Sequence, residues 1–132
     1  MRQNTFPKSA RLKSRKTLKK LFAEGKNLRV TGLRVAYLPT PPEEGLKCAV
    51  GVSARHFKRA VDRNRIKRQI REAYRLQQQD LKQIFDAGST GLGIFILYTG
   101  KEMPLYPQLY ANVGLALQKL TTAFNAMATQ NT

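Results

Sequence analysis

The chain has 132 residues, 42% of them hydrophobic, enough for one folded domain with a buried core and too many for a disordered tail. Twenty-four lysines and arginines against eight acids give a formal charge of +16, which points to a polyanionic partner, nucleic acid before an anionic membrane surface. No apolar run approaches the roughly eighteen residues of a membrane span, the basic N-terminus lacks the apolar stretch of a signal peptide, and a lone cysteine, Cys48, excludes an internal disulfide or cysteine-rich zinc site and fits the reducing cytoplasm.

Residues 1–13 read as a flexible basic arm. Ser14–Phe22, "SRKTLKKLF", predicts a short helix with Ser14 as N-cap and Gly25 as the residue beyond its end. Leu18, Leu21 and Phe22 share one face, and Arg15, Lys16, Lys19 and Lys20 cover the rest. Two strands follow. Leu28–Leu38 alternates in its second half, with Leu33, Val35 and Tyr37 on one side, and Gly32 is a point where it can break in two. Pro39–Gly45 is turn-forming by composition. Leu46–Ser53 sends Leu46, Cys48, Val50 and Val52 one way and Ala49, Gly51 and Ser53 the other. Those small residues either leave room for a packed helix or let a ligand backbone approach.

The period then changes. At about 100° per residue, Ile66, Ile70, Ala73, Leu81 and Ile84 form one stripe of a helix. Asn64, Arg68, Arg71 and Arg75 lie opposite, with Arg65 and Lys67 on the flanks. Arg63 falls at the apolar azimuth, so it is expected at an overhanging N-terminal end with Asp62 as cap. Leu92–Thr99 suits a buried strand, and Pro107 a helix start. The last helix turns Leu109, Val113, Ala116, Leu117, Leu120 and Phe124 inward, and residues 126–132 read as a frayed tail. The order α-β-β(-β)-α-β-α describes a single α+β domain over 1–132: a small sandwich of a mostly antiparallel mixed sheet with helices.

Nineteen of the 24 basic residues lie in two windows, Arg2–Arg29 and Arg55–Arg75, which hold only three acids, Glu24, Asp62 and Glu72. A charge run is ordinarily a solvated face with a few ion pairs. Here Glu72 and Asp80 are too few to pair with Arg63, Arg65, Arg68, Arg71 and Arg75. Guanidinium groups bind phosphates bidentately and stay charged, which fits arginine outnumbering lysine on this helix. RNA is favoured over DNA, since no dimer motif or helix-turn-helix spacing occurs. Catalytic constellations are missing. His56, the one histidine, lies among Arg55, Phe57, Lys58 and Arg59 with no carboxylate or nucleophile beside it in sequence, and reads as a solvated or RNA-contacting group. The acids are dispersed, and no P-loop, zinc spacing or serine elbow is found.

"AVDRNRIKRQIREAYR", Ala60–Arg75, resembles the arginine-asparagine-arginine motif of the bacterial ribonuclease P protein subunit. In matching order, "RLKSRKTLKKLFAEGK" resembles that family's first helix, "RVAYLP" its following strand and "VGVS" the strand leading to the motif. The resemblance implies a ribonucleoprotein endonuclease in which a large catalytic RNA removes the 5′ leader of precursor tRNA, with magnesium held mainly by the RNA and no cofactor on the protein. It also implies a left-handed strand-helix-strand crossover, with no membrane or DNA partner and a cytoplasmic setting. Carried over by position, Arg63, Asn64, Arg65, Lys67, Arg68 and Arg71 face the catalytic RNA, extended by Arg59 and Arg75. Phe22, Val35, Tyr37 and Ser53 line a leader-binding cleft between first helix and sheet, with Arg11, Lys13, Arg15 and Lys16 beside it. From the residues alone, Phe22 and Tyr37 read as core; aromatics on an open face would stack on single-stranded bases of any sequence.

Two departures are visible. Leu18 stands where the family often has an aromatic, and Lys58-Arg59 replace a commoner small-residue turn. The competing classes are a non-catalytic ribosomal-type RNA-binding protein and a self-sufficient protein nuclease. Assaying precursor cleavage with protein alone, RNA alone and both together at low magnesium separates the three.

Overall fold

The computed structural model describes residues 15–87 and 90–130, and of these every side chain except those of 84–87 and 125–130. Arg11, Lys13, Ser14 and the Ile84 side chain therefore lie outside the described residues. In chain order the elements are α1 (Arg15–Glu24), β1 (Lys26–Val30), β2 (Leu33–Thr40), a 3₁₀ turn (Pro42–Glu44), β3 (Leu46–Val52), α2 (Ala60–Gln77), α3 (Gln79–Ala87), β4 (Gly91–Tyr98) and α4 (Tyr106–Gln130). One sheet runs in the order β1-β2-β4-β3. β1 pairs with β2 and β2 with β4 antiparallel, while β3 lies parallel to β4. Two parallel neighbours need a crossover, and α2 with α3 supplies it. The mixed α+β sheet is the one the sequence predicts.

Local chemistry accounts for the breaks. Val30 sits opposite Leu33, so Thr31-Gly32 is a two-residue hairpin connection. Gly32 has φ 76°, a conformation that costs a glycine little, and the break that the sequence allows there separates β1 from β2. Gly25 follows α1 as predicted, but for a different reason. Its φ is not positive; its N–H donates to the Leu21 carbonyl at 2.8 Å, and a Cβ would collide with that oxygen. Arg59, not Asp62, occupies the N-cap position of α2, at φ −83° and ψ 128° with no side-chain capping bond. Asp62 lies within the first turn instead, where the helix dipole still favours an anion. The apolar stripe read as one helix through Ile84 belongs to two, because α2 ends at Gln77 and α3 restarts at Gln79. α4 runs to Gln130, through most of the stretch expected to fray.

Strand alternation divides the sheet into two faces. Val35, Ile96 and Val50 lie in register on one, as do Tyr37, Ile94 and Cys48. That face meets Ile66, Ile70, Ala73 and Tyr74 of α2, Leu81 of α3, and Leu109, Val113, Ala116, Leu117 and Leu120 of α4 in the main core. Burial pushes the Cys48 thiol and the Tyr74 phenol far up, which keeps both neutral. Ala36, Phe95 and Ala49 line up on the other face, where α1 packs. This second cluster is small: Leu21 and Ala36 are buried, with Leu18, Leu38, Ala49 and Phe95 around them. The small residues of β3 have their explanation here, since a Cβ on Gly51 would lie 2.6 Å from the Phe95 ring.

The two clusters should come apart separately. Ile94→Ala, in the main core, should lower global stability by about 2–5 kcal/mol. Leu21→Ala should chiefly loosen α1, seen as faster amide exchange in Arg15–Glu24 with protection in β4 retained. Uniform loss of protection across the chain in Leu21→Ala would show that α1 and the core form one cooperative unit.

Candidate nucleic-acid interface

α2 turns its apolar stripe into the core, so its remaining surface is cationic by default. Arg59, Asn64, Arg65 and Arg68 are exposed, and Lys67 and Arg71 are half-buried. Two of the predicted contacts are placed differently. Arg75 donates from Nη2 and Nε to the Glu72 carboxylate one turn back, and this ion pair neutralises the C-terminal end of the face. Arg63 is half-buried, and its Nη1 donates to the carbonyls of Phe57 at 2.7 Å and Lys58 at 2.8 Å. It is neither overhanging nor directed outward, because an arginine at the apolar azimuth can satisfy its donors on the loop that precedes the helix. Asn64, Arg65 and Arg68 form the open part of the face, continued by Arg59 in the loop.

The second surface lies across the sheet. Phe22, 62% exposed, stands edge-on to Phe95, with ring centroids 5.1 Å apart and planes at 73°. Asn27, Arg34, Ala36 and Leu97 complete a hollow of about 80 Å³ between α1 and the sheet. Arg34 donates from Nε to Asn27 Oδ1 at 3.3 Å, which sets a cation at its rim. Arg15, Lys16, Lys19 and Lys20 are exposed along α1. The hollow thus combines an aromatic wall with a cationic border, the pairing that suits single-stranded nucleic acid.

Of the four predicted cleft residues, Phe22 alone lines it. Val35 is 0% exposed within the main core, and Tyr37 packs against that same core. Their shared parity was legible, but it faces α2 and α4; the intervening Ala36 is the residue beneath α1. Ser53 sits at the end of β3, where its Oγ accepts the Arg55 N–H at 3.2 Å and shapes the following loop. Phe95, Arg34 and Asn27 escaped notice. Every residue around Phe95 is apolar, so alternation could not separate the faces, though the small Gly51 beside it was a usable signal. A larger groove of about 480 Å³ between the α2–α3 junction and α4, bordered by Gln77, Asp80, Asn112 and Gln118, carries no cation and offers nothing to phosphate.

His56 is exposed in the loop before α2. Among the described residues no three of His, Cys, Asp and Glu gather to hold a metal ion, and no helix is long and apolar enough to cross a membrane.

Residues 6–121 match the sequence model of the family described as Ribonuclease P. The ribonuclease P protein component of Porphyromonas gingivalis is 35% identical over 99 residues, spanning 74% of this chain and 72% of that protein. That of Nitrosococcus oceani is 37% identical over 81 residues, spanning 61% and 67%. Among solved structures, the RNase P protein of Staphylococcus aureus superposes with a TM-score of 0.61 at 17% identity, covering 85% of this chain and 94% of that one. The RNase P protein of Thermotoga maritima gives 0.63 at 20% identity, covering 83% and 96%, and both likenesses are of fold. The chain belongs to the ribonuclease P protein family, the protein components of a ribonucleoprotein endoribonuclease that acts in tRNA 5′ processing.

Proposed function

We propose that the open face of α2 binds the catalytic RNA subunit of ribonuclease P, and that the hollow between α1 and the sheet takes the single-stranded 5′ leader of precursor tRNA. The supporting observation is that two cationic surfaces of different character lie against opposite faces of one sheet. α2 offers arginines and an asparagine without an exposed aromatic, which suits the phosphates of a structured RNA. The hollow offers Phe22 and Phe95 beneath Arg34, which suits unstacked bases. Arg15, Lys16, Lys19 and Lys20 of α1 then follow the leader's backbone. Magnesium is assigned mainly to the RNA, whose phosphates supply the hard oxygen ligands it prefers. The reaction takes place in the cytoplasm, and the protein's part in it is to hold two RNAs in one register.

Salt dependence tests the α2 face. Arg65→Gln and Arg68→Gln should each flatten the logarithmic salt slope of catalytic-RNA binding by roughly 0.7–0.9. An unchanged slope in both variants would mean the face is only solvated.

The cleft is tested by comparing substrates. Phe22→Ala should weaken holoenzyme binding to precursor tRNA by roughly 5- to 150-fold, the equivalent of 1–3 kcal/mol of base stacking. Mature tRNA, which has no leader, should bind as before. Equal loss of precursor and mature tRNA in a folded Phe22→Ala protein would remove the leader assignment.

A further inference from the structure

The loop between β3 and α2 carries Arg55, His56, Lys58 and Arg59, all exposed, and no acid. Among the described residues no ion pair joins any of them. Such a loop would ordinarily stay mobile, since ordering backbone costs entropy and crowding cations adds repulsion. This one is held at three points. Ser53 takes the Arg55 N–H on its Oγ and the Phe57 N–H on its carbonyl, at 3.2 and 3.3 Å. Phe57 is 8% exposed, its ring 6.0 Å from that of Tyr98 in the main core. Arg63 reaches back from α2 and ties the carbonyls of Phe57 and Lys58 together through one nitrogen.

We propose that Arg63 is a positioning residue and not itself an RNA contact: it fixes the Ser53–Arg59 loop so that Arg55 and Lys58 meet phosphates of the RNA bound on α2. This rests on the reading of α2 as the catalytic-RNA surface. Both hydrogens of Arg63 Nη1 are engaged by loop carbonyls, so its guanidinium braces the loop where its neighbours Arg65 and Arg68 point outward. A preformed array of cations binds without having to be ordered first, which offsets the cost of building it.

The test is a mutant cycle in binding to transcribed ribonuclease P RNA over a range of salt, with circular dichroism confirming each fold. Arg55→Gln and Lys58→Gln should each flatten the salt slope by roughly 0.7–0.9. In an Arg63→Met background the same two substitutions should change affinity by less than about twofold, the limit within which independent effects usually add. Phe57→Leu, which removes no charge, should suppress them likewise, and it decides the matter if Arg63→Met does not fold. Without RNA, the Arg55 and Phe57 amides should exchange faster in Arg63→Met. Fully additive losses would make Arg63 an independent phosphate contact and overturn the proposal. So would silent Arg55 and Lys58 variants beside an Arg68→Gln control that flattens the slope, with α2 still the RNA surface. If Arg68→Gln is silent as well, the reading of α2 fails and the proposal goes with it.

Discussion

Strand β4 is apolar on both faces, and a strand of that kind must be covered on both sides. On one side Leu92, Ile94, Ile96 and Tyr98 join the main core under α2, α3 and α4. On the other, among the described residues, α1 alone packs, ten residues long and anchored by Leu21. Cover there is incomplete. Phe95 stays half-buried beside an exposed Phe22, and the hollow between them follows from too little helix over too much apolar sheet. The hollow is first of all a consequence of the fold's packing.

The same division separates the charges. α2 must bury one stripe to close the core, which leaves arginines on its outer side, while α1 must bury Leu21 and leaves its lysines outside. Since α1 and α2 pack on opposite faces, their described cations fall on two separate surfaces. Two polyanions can be held at once, each neutralising its own surface, and the repulsion within a +16 chain is relieved on both sides.

Much of this was legible in the sequence, and the failures share a cause. The apolar period of α2, the alternation of β2 and β3, and the inward face of α4 all survive in the structure. Period and alternation tell which residues share a face, but not what covers it. Val35 and Tyr37 were rightly grouped and wrongly assigned, because the identity of the covering helix is a tertiary fact. Arg63 was rightly placed at the apolar azimuth, yet its carbonyl partners belong to a loop whose path no local pattern predicts. The arginine-asparagine-arginine resemblance carried the family, since it depends on residue identity and not on packing. Gly51 held the clearest unread clue: its missing side chain makes room for Phe95, the residue that floors the cleft.

Two different RNAs on opposite faces of the sheet would be distinguished by crosslinking from each face. Cys48 is 2% exposed and burial holds its thiol protonated, so an introduced surface cysteine can be labelled selectively. A photo-crosslinker placed through Lys19→Cys on α1, and separately through Arg68→Cys on α2, reports which RNA lies against each face of the assembled holoenzyme with precursor tRNA. Lys19→Cys should crosslink to the 5′ leader and Arg68→Cys to the catalytic RNA. Crosslinks from both positions to the same RNA would contradict this assignment.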